Sequence, residues 1–250
     1  MNTMVFTLAN KELKSLFAAP LAWLILAIVQ LLLAWIFLSR LDTFLSLQPQ
    51  LVQLTQPPGV TEMVLAPLFG SAAVLIMMAV PLLSMRLIAE ERRNQTMPLL
   101  LSAPLSMTEI VIGKFVGLML FLAALIGLSA LMAFSLYTGS ALDVGLLAGN
   151  LLGLLLLSAC FAALGLYISC LTSYPVLAAV GTLGALLGFW VMDVAAGTPE
   201  SLLHWFSLLK HFESFNRGLI DSADLAFFLL FTLAFLALAI RRLDADRLRG

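Results

Sequence analysis

Charge is what this chain lacks most. Only 11% of its 250 residues are Asp, Glu, Lys or Arg and 62% are hydrophobic, whereas soluble domains carry roughly 25% charged residues. That balance excludes a soluble globular domain and points to an all-α, polytopic membrane protein. Cysteine is scarce too, with two in the chain. Cys160 and Cys170 fall in one predicted span, about 15 Å apart along a helix, beyond disulfide reach, and are read as packed, inert thiols.

Further absences narrow the chemistry. There is no His-Glu-x-x-His, no phosphate-binding G-x-x-x-x-G-K-[ST], no CxxC and no nucleophile elbow. The two histidines, His204 and His211, lie two turns apart on one helix face, too far to share a metal without other ligands. Packing at an interface is the expected role, so no metal and no catalytic residue is assigned. None of the 14 acidic or 13 basic residues falls at a predicted bilayer midplane; Asp193 comes closest, near the end of a span. Ion-coupled carriers hold such charges there. Neutral polar residues within the spans, Asn150, Ser158, Ser169 and Thr182, lack an acid or histidine partner, which argues against an intramembrane enzyme. A net charge of −1, with the basic residues dispersed, gives no nucleic-acid surface. Energy for uphill transport would therefore enter through a soluble partner.

What the chain does have is apolar length. Crossing about 30 Å of hydrocarbon takes roughly 20 residues, and six runs qualify, near 20–39, 64–85, 110–136, 145–170, 175–193 and 224–240. The first is too long for a cleaved signal peptide and has no cleavage site after it, so it is read as an anchor. One side of this topology takes Lys11, Lys14, Arg86, Arg92, Arg93, Lys114, Arg241, Arg242, Arg247 and Arg249; the other takes Arg40, Lys210 and Arg217. The positive-inside rule then puts both termini in the cytoplasm, as expected of a bacterial inner-membrane protein.

Between spans two and three lies a polar island, the cytoplasmic segment 86–109. Span two, with Pro67, Gly70 and Pro81 as kink points, is expected to continue as helix from Met85 through Arg93. Pro98 and Pro104 bracket Leu99-Leu100-Leu101, read as a short exposed apolar helix of the kind that docks a partner or tucks under the bundle. Ser106 and Glu109 form a capping box that starts span three.

Residues 4–17, with Phe6, Leu13 and Phe17 at helical spacing and Lys11, Glu12 and Lys14 between them, read as an interfacial amphipathic helix. Arg40 to Met63, containing Pro57-Pro58-Gly59, reads as an irregular outer loop. The outer segment 197–223, with Leu202, Phe206, Leu209 and Phe212 on one face, reads as an interfacial or re-entrant amphipathic helix. Small residues at Gly145-x-x-x-Gly149-x-x-x-Gly153 and Gly184-x-x-x-Gly188 allow close helix approach, within one chain or in a dimer. Gly113 and Gly117, flanking Lys114, fit the same account.

Three ordered sets of residues carry a family resemblance over nearly the whole chain. They are Lys11-Glu12-Leu13 with Phe17 and Pro20; Glu90-Glu91-Arg92 through Thr96, Leu99-Leu100, Pro104-Leu105-Ser106, Glu109-Ile110 and Gly113-Lys114; and His211-Phe212, Phe215, Arg217-Gly218, Ile220-Asp221 and Asp224. The chain resembles permease subunits of type-2 ATP-binding-cassette (ABC) transporters, in particular the gliding-motility-type and nitrous-oxide-reductase-maturation-type branches. It departs from their pattern at Gln95, often Gly, and at Pro98, often Glu.

The resemblance implies a single permease domain over 1–250 with a cytoplasmic coupling helix and no cofactor of its own. ATP and magnesium would bind a separate ABC ATPase subunit. The other implied partners are a second permease copy or sister permease, a periplasmic protein and membrane lipids. Glu90, Glu91, Arg92, Arg93 and Thr96 would make polar contacts to the ATPase, with Leu99, Leu100, Leu101 and Pro104 filling its socket; alternatively the charges mark topology and pair with one another. A non-transporting membrane scaffold is the competing reading.

Overall fold

A computed structural model of the chain describes residues 2–51, 59–96, 106–138, 143–195 and 207–247. Among them helix is the dominant regular structure and no strand occurs. The long helices are α2 (Pro20–Leu51), α3 (Ala66–Ser84), α5 (Met107–Ser135), α6 (Val144–Leu171), α7 (Pro175–Ala195) and α9 (Ser222–Arg247), with the shorter α1 (Asn2–Ala18), α4 (Ala89–Arg93) and α8 (Leu208–Asn216) at the ends of the bundle. Among the described residues six helical stretches are long and apolar enough to cross a membrane. The protein is an all-α, multi-pass membrane protein, and each of the six apolar runs falls on one of these helical stretches.

Local chemistry sets several helix starts. Ser106 Oγ accepts from the Glu109 amide and the Glu109 carboxylate accepts from the Ser106 amide at 2.9 Å, the predicted capping box. Asp143 Oδ1 accepts from the Gly145 and Leu146 amides to start α6. Pro20 and Pro175 open α2 and α7, where a missing N–H costs nothing.

Helix α6 is the axial element, packing against α3, α5, α7, α8 and α9. By contrast α2 buries one row, Ile25, Val29, Leu33 and Phe37, and turns Trp23, Leu31 and Trp35 outward, as a lipid-facing helix should. Buried polar side chains in the spans bond backbone one turn back: Ser129 to Leu125, Asn150 to Leu146, Ser158 to Leu154 and Thr182 to Ala178. Gln30 crosses to donate to the Leu125 carbonyl at 2.8 Å.

Three expectations are corrected. Arg40 to Leu51 is not loop: α2 runs on through it, because leaving the bilayer removes the apolar environment but introduces no helix breaker before Pro49, and Thr43 Oγ1 bonds back to Ser39 O. Span two does not continue unbroken to Arg93. It stops at Ser84, turns through 85–88 and restarts as α4. In α1, Phe6 stands 70% exposed; the buried row is Leu8, Ala9, Glu12 and Leu16, with Leu13 and Phe17 beside it. That row is selected by the surface of α5, where a Cβ on Gly113 would sit 2.8 Å from the Leu8 side chain and one on Gly117 would sit 2.7 Å from Glu12 Cβ.

Candidate functional site at the basic end of the bundle

The end that carries α1, α4 and the last turns of α9 gathers Lys11, Lys14, Arg86, Arg92, Arg93, Lys114, Arg241, Arg242 and Arg247. Its geometry centres on α4. Ser169, near the end of α6, accepts from the Ile88 and Ala89 amides at 3.2 and 3.1 Å and donates to the Met85 carbonyl. One hydroxyl thus satisfies both sides of the break between α3 and α4, which is why the helix can restart there in a new direction.

The charged residues of α4 divide by direction. Glu91 turns inward to Lys114 Nζ at 2.8 Å, and the same Nζ donates to Glu12 at 2.7 Å. Lys114 is 1% exposed. Arg92 pairs with Asp246 of α9, which Arg242 approaches at 3.6 Å from one turn away. Glu90 and Arg93 point outward, Glu90 within 3.9 Å of Arg86. A cleft of about 260 Å³ opens beside this network, between Lys11, Glu12, Glu90, Glu91, Asn94 and Lys114.

At its far end α4 closes with the Thr96 amide bonded to Glu91 O and the Gln95 amide to Arg92 O. This is a Schellman arrangement, and it puts Gln95 at φ +55°. Thr96 is exposed at the edge of the described residues. Leu99, Leu100, Leu101 and Pro104 lie outside them.

The glycines divide as well. A Cβ on Gly153 would meet Phe215 Cβ at 2.5 Å, and one on Gly149 would meet the Phe215 carbonyl oxygen at 3.2 Å, so both seat the end of α8 against α6. Gly145 meets its own cap, Asp143. Gly184 and Gly188 have open space where a side chain would go. At this opposite end His211 Nδ1 lies 2.6 Å from Asp224 Oδ1, with the Phe227 ring stacked on the imidazole at 4.0 Å. His204, Leu202 and Phe206 fall outside the described residues, among which no group of three or more metal-ligating side chains occurs.

The profile of the ABC-2 family transporter protein matches residues 6–248. The chain belongs to the ABC-2 transporter family. No curated protein matches it in a sequence comparison. As an ABC-2 permease it is a membrane component of an ABC transporter, a class that works with an ABC ATPase. The family match spans both the basic end and the α8–α9 end, so the permease includes the Lys114 network.

Sequence reasoning passed over that network. Lys114 stood out as a topology marker, a residue between two glycines and part of a resembling motif, Glu12 as a charge on an amphipathic helix and part of another, but neither as a partner of the other, and Asp246 not at all. The available signal was a lysine set two turns inside an otherwise apolar helix, where an unpaired cation is too costly to keep.

Proposed function

We propose that the chain is the permease half of an ATP-driven exporter of the bacterial inner membrane, with its basic end and both termini in the cytoplasm. There a separate ABC ATPase docks on the 86–109 segment. A second permease, identical or sister, completes the transporter, and the gliding-motility-type and nitrous-oxide-reductase-maturation-type members are the branches it most resembles.

The observation that carries this reading is the wiring of α4. One short helix is bonded to α6 through Ser169, to α1 and α5 through Lys114, and to α9 through Asp246. A displacement of α4 from outside the bundle therefore changes contacts with four elements at once. Because Glu91 and Arg92 are engaged inside the chain, the polar contacts to the ATPase fall to Glu90, Arg93 and Thr96, and the apolar ones to Leu99, Leu100, Leu101 and Pro104.

The neutral, backbone-bonded polar groups in the spans favour a hydrophobic or lipid-like cargo, or mechanical work on a periplasmic partner, over a small ion. ATP and magnesium belong to the ATPase.

The test is affinity purification from native membranes with the Leu99→Asp/Leu100→Asp variant beside the natural chain. A soluble subunit with a phosphate-binding loop should co-purify with ATPase activity and be lost in the variant, while insertion and abundance stay unchanged. Retention of the ATPase by the variant would sink the docking assignment, and a partnerless, ATPase-silent natural chain would favour the scaffold.

A further inference from the structure

We infer that α4 is a detachable latch, with Lys114 and Asp246 as its keepers: positioning residues that hold the helix closed and are left electrically satisfied when it opens. The inference rests on the proposed coupling role only for what pulls the latch.

Breaking a buried ion pair is costly chiefly because it strands a charge. Neither keeper would be stranded here. If Glu91 withdraws, Lys114 keeps Glu12 at 2.7 Å, on an α1–α5 unit already knitted together by the Gly113 and Gly117 notches. If Arg92 withdraws, Asp246 keeps Arg242 one turn away on its own helix. Each pocket thus holds a resident counter-ion on the stationary side and borrows a second from α4.

The moving part is lightly held otherwise. Of the five residues of α4 only Ala89 is buried; beyond the two ion pairs the helix is held by the packing of Ala89 and the preceding Ile88, by contacts with α6 and α7, and by the pair of amides on Ser169. The closed state also leaves Glu91 Oε2 and Arg92 Nε enclosed without hydrogen-bond partners, capacity that opening would release to water or to a docked protein. The boundaries suit a hinge. The 85–88 turn precedes α4, and Gln95 in the left-handed region follows it.

The Ile88 and Ala89 amides report opening directly, since their bonds run to Ser169 on another helix. Hydrogen exchange of these amides in the full chain, purified into lipid nanodiscs, separates a latch from a structural pin. In Glu91→Gln/Arg92→Gln, exchange at Ile88 and Ala89 should accelerate by about tenfold or more, as loss of charge-assisted bonds requires, while α1 amides from Leu8 to Leu16 keep their rate. In Glu12→Gln the resident counter-ion is gone, Lys114 depends on Glu91 alone, and exchange at Ile88 and Ala89 should slow.

A structural pin predicts the opposite sign, with every neutralisation loosening the site. Unchanged exchange in the double variant, or acceleration in Glu12→Gln, would overturn the latch. Neither arm involves the ATPase, so failure here is distinct from failure of the docking assignment.

Discussion

Gln95 shows how one residue can carry a structural demand its own chemistry does not meet. The Schellman closure of α4 requires a left-handed residue, and Gln95 takes it at φ +55°, a conformation that costs a side-chain-bearing residue about 1–2 kcal/mol. Glycine removes that strain but has more freedom to lose on folding, about 0.5–1 kcal/mol. Gln95→Gly should therefore stabilise the end of α4 by no more than about 1.5 kcal/mol, seen as slower exchange at the Thr96 amide; faster exchange would refute the assignment of strain. The Gly that often occupies this position in the resembling permeases is explained by the same geometry. Lys114 is the complementary case: a residue whose charge is tolerable at 1% exposure because two carboxylates reach it.

At the scale of elements, the small-residue stripes separate by what lies against them. Gly149 and Gly153 receive α8, whereas Gly184 and Gly188 face open space. Gly153→Leu should push Phe215 and α8 off α6 and cost about 1–3 kcal/mol, the usual range for overpacking, read as a lower unfolding temperature in detergent. Gly188→Leu should leave the fold of the isolated chain within about 0.5 kcal/mol, as surface substitutions do. Equal losses in both would mean the α7 stripe is also packed within the chain. The same comparison explains α1, whose buried row follows the notch in α5 rather than its own apolar periodicity.

For the whole molecule, the proposed orientation across the membrane rests on the separation of charge between the two ends. Single cysteines at Asn94 and Leu219, both exposed, should label asymmetrically with an impermeant maleimide: Leu219→Cys in intact cells, and Asn94→Cys only after the membrane is opened. The native Cys160 and Cys170 are buried and should give little background. Labelling of both sites from outside, or of Asn94→Cys alone, would overturn the proposed topology and with it the cytoplasmic docking surface.

The sequence by itself determined the solvent. Six long apolar runs and the Ser106–Glu109 box fix the class and the start of α5, because in hydrocarbon a long continuous apolar run satisfies its backbone within itself only as helix, and capping is a contact between near neighbours. It also made the polar island visible, and the ordered motifs around it carried the family. Only the tertiary structure decided which way the island's charges face. Glu91 meets Lys114 across 23 positions, Glu12 meets it across 102, and Arg92 meets Asp246 across 154. Such pairings depend on where whole helices come to rest, and a local pattern of residues holds no record of that. The break after Ser84 is of the same kind: its partner, Ser169, lies on α6, and nothing adjacent in the chain announces it.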